Sequence, residues 1–401
     1  MKIIFLNRFF YPDHSATSQL LTDLAFHLAD NDREVSVITS RQRYDDPAAE
    51  LPVTELVNGV QVYRVWTSRF GRHNLIGRGL DYLSFYLSAA WRLYLLTRAD
   101  DIVVAKTDPP MISVVAGWIS RLRGAHLVNW LQDFFPEVAM ALGIKGLDGV
   151  LGRVLIHLRN RSLQQARCNV VLGKLMAQRL ALENVSQERI QIIHNWADGQ
   201  AIKPLPAKQN PLRKEWGVEG KFVVGYSGNL GRAHEFTTLL DAAECLQQEA
   251  KILFLFIGGG PQLLRVKEEV QRRGLQNCMF QPYQPRERLQ ESLGVPDLHL
   301  VVLRPELEGL IVPSKFYGIA AAGRPTLYIG DLQGEVAQII VHGDAGVTVG
   351  VGDGKGVAEQ IMMLYQDADR CIRLGRNARL LFDENFSREQ ALDTWRTILK
   401  P

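Results

Sequence analysis

The sequence predicts an α/β protein built of two doubly wound domains, each a parallel sheet covered by helices on both faces. Three observations carry this expectation. Short apolar runs alternate with helical patterns from end to end, as repeated strand–helix–strand units require. The alternation pauses once, over 198–212, where Pro204, Pro206 and Pro211 stand among few apolar residues, as in a joint between domains. A chain of 401 residues, 46% of them hydrophobic, is long enough for two ordinary cores.

The first series opens on the apolar run 3–6, cut off by Asn7 and Arg8. That run is too short for the apolar stretch of an export signal and reads as a first buried strand. A helix over 18–29 follows, then strands over 35–39, 60–66, 102–105, 127–130, 170–172 and 190–194. The second series has strands over 222–226, 252–257, 279–280, 298–303, 326–329 and 346–349, and closes with an amphipathic helix over 388–399 capped by Ser387.

Composition removes some function classes. A formal net charge of +3 is too small to imply a nucleic-acid partner. Cys168, Cys245, Cys278 and Cys371 are far apart, so neither a metal-ligand spacing nor a disulfide framework is suggested, which favours a reducing compartment. No run of about 18 uncharged apolar residues occurs, and no transmembrane helix is expected. Locally, Arg64, Arg69, Arg72, Arg78, Arg92 and Arg98 oppose Asp81 alone. Such a surface suits phospholipid or a diphosphate, or is a plain solvated face. Leu80, Leu83, Leu87, Trp91 and Leu95 recur at helical spacing with Tyr82, Phe85, Tyr86 and Tyr94 around them. This stripe reads either as a face for an anionic membrane or as ordinary core.

In open α/β sheets, ligands bind beyond the carboxyl ends of the strands. The cleft between two such domains is the default site, and four segments following strands are candidates. Ser227-Gly228-Asn229-Leu230-Gly231-Arg232-Ala233-His234 leads into a helix near Glu235. It is a phosphate turn at a helix N-terminus, or a plain strand–turn–helix. Ile257-Gly258-Gly259-Gly260-Pro261 implies a close backbone approach, to ligand or to protein. In Arg304-Pro305-Glu306-Leu307-Glu308-Gly309-Leu310-Ile311-Val312-Pro313-Ser314-Lys315, a helix from Pro313 places the amides near Ser314, and the Lys315 ammonium, at a positive end suited to a diphosphate. The plain alternative is a cap and a surface lysine. Finally, Trp130-Leu131-Gln132-Asp133-Phe134-Phe135-Pro136-Glu137 puts Asp133 at a strand end, as a base or orienter for an acceptor hydroxyl or as a helix cap.

Taken together, these segments resemble glycosyltransferase family 4, the retaining transferases of the GT-B fold. The ordered set Gly228-Asn229-Leu230-Gly231, Ile257-Gly258-Gly259-Gly260-Pro261, Pro313-Ser314-Lys315-Phe316-Tyr317 and Ala320-Ala321-Ala322-Gly323-Arg324-Pro325 carries the resemblance over nearly the whole chain. Gln132-Asp133-Phe134-Phe135-Pro136-Glu137 is similar to the bacterial exopolysaccharide and O-antigen members of the colanic-acid and fucosamine types. The implied organisation is an acceptor-binding Rossmann-like domain over 1–197, a linker over 198–212, and a nucleotide-sugar domain over 213–384. A helix over 385–401 returns to the first domain.

The resemblance implies transfer of a hexose from a UDP-sugar, retaining and without metal or other cofactor, to a polysaccharide or polyprenyl-diphosphate-linked acceptor. It also implies a cytoplasmic location, peripheral on the inner face of the cell membrane. The roles it implies are catalysis by Asp133, Glu306 and Lys315, and acceptor binding by Arg8, His14, Ser15 and Asp133. The donor is bound by Gly228 and Asn229, with its diphosphate held by Lys315, His234 and the amides near Ser314. Gly259, Pro282, Tyr283, Arg304, Gly309, Leu310, Ile311 and Val312 complete the donor site, with the base near the backbone of Phe280-Gln281-Pro282-Tyr283. Two departures stand out: the family's phosphate-turn Arg and Lys become Asn229 and His234, and its two spaced glutamates become Leu310 and Gly318. Glu335 is the candidate for the ribose. The alternatives are a nucleotide-sugar epimerase of the same fold and a non-catalytic nucleotide-sugar binding protein. A dinucleotide oxidoreductase lacks its Gly-x-Gly-x-x-Gly after either opening strand.

Overall fold

The computed structural model describes residues 1–13, 15–43, 46, 49–71 and 75–400. Its contacts divide the chain into two units, Met1–His194 with Ala391–Pro401, and Asn195–Gln390.

In the first unit the elements run β1 (Ile3–Leu6), α1 (Ala16–Asp30), β2 (Val35–Ser40), β3 (Thr54–Val57), β4 (Val60–Val65) and α2 (Leu75–Leu96). There follow β5 (Ile102–Lys106), α3 (Ile112–Arg123), β6 (His126–Trp130), α4 (Glu137–Ala141), α5 (Val150–Gln165), β7 (Cys168–Val171), α6 (Lys174–Leu182) and β8 (Ile190–Ile192). The sheet order is β3-β4-β2-β1-β5-β6-β7-β8. All pairings are parallel except β3 with β4. The central strands are buried along their whole length, which is why they read as continuous apolar runs rather than alternating ones.

The sequence reading lacked β3. Its signal is Asn58-Gly59, both at positive φ (45° and 76°), the two-residue turn that closes an antiparallel hairpin.

The second unit runs α7 (Pro211–Glu215), β9 (Phe222–Asn229), α8 (Thr237–Cys245), β10 (Ile252–Gly259), α9 (Leu263–Arg272), β11 (Cys278–Gln281), α10 (Leu289–Gly294) and β12 (Leu298–Val302). It continues with α11 (Lys315–Ala321), β13 (Thr326–Ile329), α12 (Glu335–His342), β14 (Gly346–Val349), α13 (Gly354–Gln366) and α14 (Ala368–Asn385), before α15 (Arg388–Ile398). Its sheet is wholly parallel, ordered β11-β10-β9-β12-β13-β14. Helix starts follow local chemistry. Asn210 accepts from Leu212 N at 3.0 Å with Pro211 at the first helical position, and Asp353 and Asp367 cap α13 and α14.

The proline-bearing stretch 198–212 belongs to the second unit. Its carbonyls are held by arginines: Arg379 donates to Ile202 O at 2.9 Å and Arg324 to Leu205 O at 2.8 Å. Backbone acceptors carry no compositional signature, so its prolines and few apolar residues made this stretch read as a linker.

From Ala391 onward, α15 belongs to the first unit. Its Trp395 is fully buried with its ring centroid 4.7 Å from that of Trp130, tying the C-terminal residues to the end of β6. Trp395→Ala is expected to destabilise the first unit by about 3 kcal/mol, read as a lowered urea midpoint by tryptophan fluorescence and circular dichroism.

Candidate active site

Each sheet reverses its winding direction once, between β1 and β5 in the first unit and between β9 and β12 in the second. Ligand crevices of doubly wound sheets form at such reversals. A buried lysine stands at each.

In the second unit the ends of β9 and β10 converge. Gly258 is paired with Gly228 in the ladder, and a Cβ on Gly258 would lie 2.2 Å from Gly228 O. A Cβ on Gly260 would lie 2.3 Å from Asn229 Oδ1. All three glycines have positive φ. The glycine run thus serves protein–protein approach, and the Tyr283 ring covers it, 3.3 Å from a Cβ built on Gly258 and 3.2 Å from one on Gly259.

Beyond the strand ends, the Lys315 ammonium is buried and has no hydrogen-bond partner among the described residues. It lies 3.6 Å from the centroid of the Tyr226 ring, a favourable seat for a cation. A Cβ on Gly228 would stand 3.9 Å from Lys315 Cε, so the absence of a side chain there keeps the space beside the ammonium open. Burial pushes the Lys315 pKa well below the usual lysine range, with no carboxylate opposing it.

Three expectations are corrected at this end. First, His234 is no cation. Its Nδ1 donates to Val302 O at 2.6 Å. Burial, then the Lys315 charge, push its pKa down to about 3 despite that bond, leaving Nε2 as an acceptor. Second, α8 does not begin at Glu235 with free amides. The Glu235 carboxylate accepts from Thr237 N and Thr238 N at 2.6 and 3.0 Å, filling the helix end from within the chain. Third, α11 starts at Lys315 rather than Pro313 and is seven residues long, with Ser314 exposed ahead of it. The donor end therefore depends on the lysine more than on a helix dipole.

The rest of the long loop is mixed. Arg304 and Glu306 form an exposed pair at 3.6 Å. Leu310 and Val312 are buried in the core and Ile311 is half-buried. Only the backbone of the first two can meet a ligand, and Gly309, at φ 71°, turns it. Glu335 is buried at the start of α12. Its amide donates to Glu308 Oε2 at 3.2 Å, and Glu308 also accepts from the Tyr328 hydroxyl. Burial pushes the Glu308 pKa up. Of the two carboxylates before the Pro313 turn that could bind sugar hydroxyls, Glu308 is thus engaged within the chain, by partners on β13 and α12 that are distant in sequence. Asn229 is exposed, with its carbonyl accepting from Tyr226 OH at 2.9 Å. Pro282 immediately precedes Tyr283 beyond the edge strand β11.

In the first unit, Lys106 ends β5 and is 1% exposed. Its Nζ is 3.4 Å from the Trp130 centroid, without a hydrogen-bond partner among the described residues. Burial lowers its pKa against the pull of Asp23, Asp108 and Asp133. The sequence reading ended this strand at Ala105 and passed over it. Lys106, Asn129, Trp130, Asp133 and Arg159 line a common recess.

Asp133 keeps solvent access. Even so, the protein crowding it, and then the Asp108 carboxylate, push its pKa up to about 6, with Lys106 pulling the other way. It caps no helix, since α4 begins at Glu137. Glu137 itself is structural: Arg159 grips it through two hydrogen bonds of 2.6 and 3.1 Å and lies 4.0 Å over the Phe134 ring.

Arg8, expected to meet the acceptor, is instead enclosed by protein groups. It is 5% exposed, bonded to Gln42 Oε1 at 3.4 Å, 3.9 Å from Asp81, and faces the Phe9 and Tyr82 rings. Ser15 precedes α1, and its Oγ is buried without a hydrogen-bond partner among the described residues. His14 and Arg72 lie outside the described residues. Arg64 is not part of a basic surface, because it is 2% exposed and paired with Glu55.

Two doubly wound sheets, each with a buried lysine at its reversal, define the class of Rossmann-like α/β proteins. Comparisons narrow that class. The model of the glycosyl transferase 4-like domain matches residues 17–196, and that of glycosyl transferases group 1 matches residues 208–381. The chain belongs to this glycosyltransferase family, with the two Rossmann-like domains of the GT-B fold.

It is 27% identical over 337 residues to the probable glycosyltransferase WbjE of Pseudomonas aeruginosa, covering 83% of this chain and 82% of that one. It is 25% identical over 225 residues to the putative colanic acid biosynthesis glycosyl transferase WcaI of Escherichia coli K12, covering 55% of each. A solved structure of Anabaena Alr3699/HepE in complex with UDP-glucose superposes with a TM-score of 0.73 at 18% identity, over 100% of this chain and 99% of that one.

A pH dependence follows from the buried imidazoles. His234 is held near 3, and His299, fully buried with Nε2 2.9 Å from Leu293 O, near 4. Both are neutral in the fold but protonate in the unfolded chain below the ordinary value of 6.5. Stability of the second unit should therefore fall as pH drops from 6.5, by about 1.4 kcal/mol per pH unit for each imidazole. Guanidinium midpoints down to about pH 5 should show the decline, and His299→Gln should make it shallower.

Proposed function

We propose that this chain transfers a hexose from a UDP-sugar of the UDP-glucose type to a carbohydrate or lipid-linked sugar acceptor in the synthesis of exopolysaccharide or other cell-envelope polysaccharide. The reaction keeps the anomeric configuration and uses no metal ion or other cofactor. The observation that carries this reading is the Lys315 ammonium, buried on the Tyr226 ring and unpaired among the described residues. A buried charge without a counterion is costly, so the site favours an anion that restores the protonated form. The leaving diphosphate of a nucleotide sugar supplies one, and its charge grows in the transition state, where a preorganised cation acts most strongly.

The first unit would hold the acceptor. Asp133, with its pKa near 6, is largely ionised at neutral pH and suited to orient or deprotonate a hydroxyl. Glu306, solvent-facing beside Arg304, would bind donor-sugar hydroxyls. Neutral His234 would accept from a hydroxyl rather than neutralise phosphate. Support for UDP comes from the fold likeness to a protein solved with UDP-glucose. Support for a polysaccharide product comes from the relative named for colanic acid biosynthesis. The setting this implies is the cytoplasmic side of the cell membrane.

Lys315→Met should weaken UDP-sugar binding by roughly 10- to 100-fold, the worth of a charge-assisted contact. Uridine, which lacks the diphosphate, should bind both proteins alike. Calorimetry with UDP-glucose, GDP-mannose and ADP-glucose ranks the donors, and an unchanged dissociation constant in the variant would remove the lysine from the donor site. Product analysis with and without acceptor separates transfer from epimerisation and from binding alone, and activity should survive chelation of divalent ions.

A further inference from the structure

Lys106 closes β5 at the winding reversal of the first sheet, where ligands of doubly wound sheets bind. It pairs in the ladder with Trp130, the last residue of β6, and Asp133 follows in the loop beyond. The two loops are tied together, because Gln132 N donates to Thr107 Oγ1 at 3.1 Å.

The Lys106 side chain is fixed by rings. Its Nζ lies 3.4 Å from the Trp130 centroid, and the Trp130 ring is backed by that of Trp395 at 4.7 Å. Both indoles are fully buried, so the amine is held in one place. The recess it shares with Asp133 and Asn129 encloses about 30 Å³, room for a water or two. Asn129 Nδ2 donates to Asn169 Oδ1 at 2.8 Å. Asn129 Oδ1, like Lys106 Nζ, is buried without a hydrogen-bond partner among the described residues.

Charged groups reach this recess from several elements. Asp23 of α1, Asp108 beyond β5 and Asp133 beyond β6 favour the ammonium form of Lys106 against its burial, as does the ring face beneath it. Arg159 of α5 closes one side, with its guanidinium committed to Glu137. Arg179 of α6 lies 5.6 Å from the Phe134 centroid. Tyr86 of α2 faces Asp108 but donates to Pro110 O, and burial pushes its pKa up. Around Asp133 the influences oppose one another. The crowding of protein and then Asp108 raise its pKa to about 6, and Lys106 lowers it, which an amine does only as an ammonium. A carboxyl group that kept its proton could accept none from a hydroxyl.

We propose that Lys106 is a positioning residue for sugar transfer: across the recess, its ammonium keeps Asp133 the carboxylate that receives the acceptor hydroxyl's proton. This rests on the reading of Asp133 as the acceptor's base. In the step, a lone pair of the acceptor oxygen forms the bond to the anomeric carbon while the hydroxyl proton passes to a carboxylate oxygen of Asp133. The bond from the anomeric carbon to the diphosphate oxygen breaks, and its electron pair leaves with the diphosphate. Asp133, which keeps solvent access, then returns the proton to water. Lys106 neither touches the hydroxyl nor exchanges a proton.

The test follows Asp133 directly, by NMR of the full chain carrying isotope-labelled aspartate, with Asp133→Asn assigning the signal. Its titration should rise from about 6 by about one pH unit in Lys106→Met. It should fall in Asp108→Asn, and the double variant should return toward the wild-type value. Lys106→Met replaces a buried charge by an apolar chain of similar volume, which folds tolerate. Unchanged circular dichroism and UDP affinity in that variant would show that both units remain folded. UDP-glucose turnover with water as acceptor should show the same displacement, as a rate deficit of about fivefold at pH 6 that narrows as pH rises. An unmoved Asp133 titration in Lys106→Met overturns the proposal, and so does a rate loss equal at every pH, which a merely structural lysine would give. If Asp133→Asn turns over UDP-glucose like the wild type, the base assignment itself falls and takes the proposal with it, a failure told apart because the titration still moves in Lys106→Met.

Discussion

The second unit is organised around one close approach, backbone against backbone, where β9 and β10 end. Gly258 can lie over Gly228 O only because neither residue has a Cβ, and both hold φ values that other residues rarely adopt. That contact lets the two strands stay paired up to Gly259 and Asn229, one residue pair beyond the Gly258–Gly228 approach. The space it leaves beside Gly228 is where the Lys315 side chain reaches. The amine then lies against a ring instead of a carboxylate, so an incoming anion would favour its protonated form.

The first unit repeats the arrangement with a different balance. Lys106 also lies on an aromatic ring at the reversal of its sheet, but carboxylates of Asp23, Asp108 and Asp133 pull against its burial. The two lysines thus sit in opposite electrostatic settings on similar sheets. One setting is suited to an anionic ligand. The other couples an amine to a carboxyl group whose pKa has risen to about 6, a pairing suited to handling a proton. The fold supplies the position in both cases, and the surrounding charges supply the chemistry.

Much of this was legible in the chain. Buried parallel strands announce themselves as continuous apolar runs, so both sheets were expected nearly strand by strand. The glycine runs marked close approach, and the segment before Lys315 drew attention to that lysine. The misreadings share a physical cause. His234 looked like a replacement cation because its charge state depends on burial and on Val302, neither of which is written locally. Glu235 looked like the first residue of a helix with open amides, whereas its carboxylate closes them. Arg8 and Arg64 looked available, whereas each is enclosed by partners far along the chain.

The sequence by itself determined the two-domain α/β class, the family, and the segments that follow the strands at each sheet's reversal, because periodicity and glycine placement are local properties. Only the tertiary structure decided which charges are paired. Lys315 and Lys106 became buried lysines on aromatic rings, Glu137 became a clamp for Arg159, and the apolar stripe of α2 turned outward instead of into the core. Those outcomes depend on which residues meet across the sheet. A group's charge and hydration are set by neighbours that the order of the chain does not name.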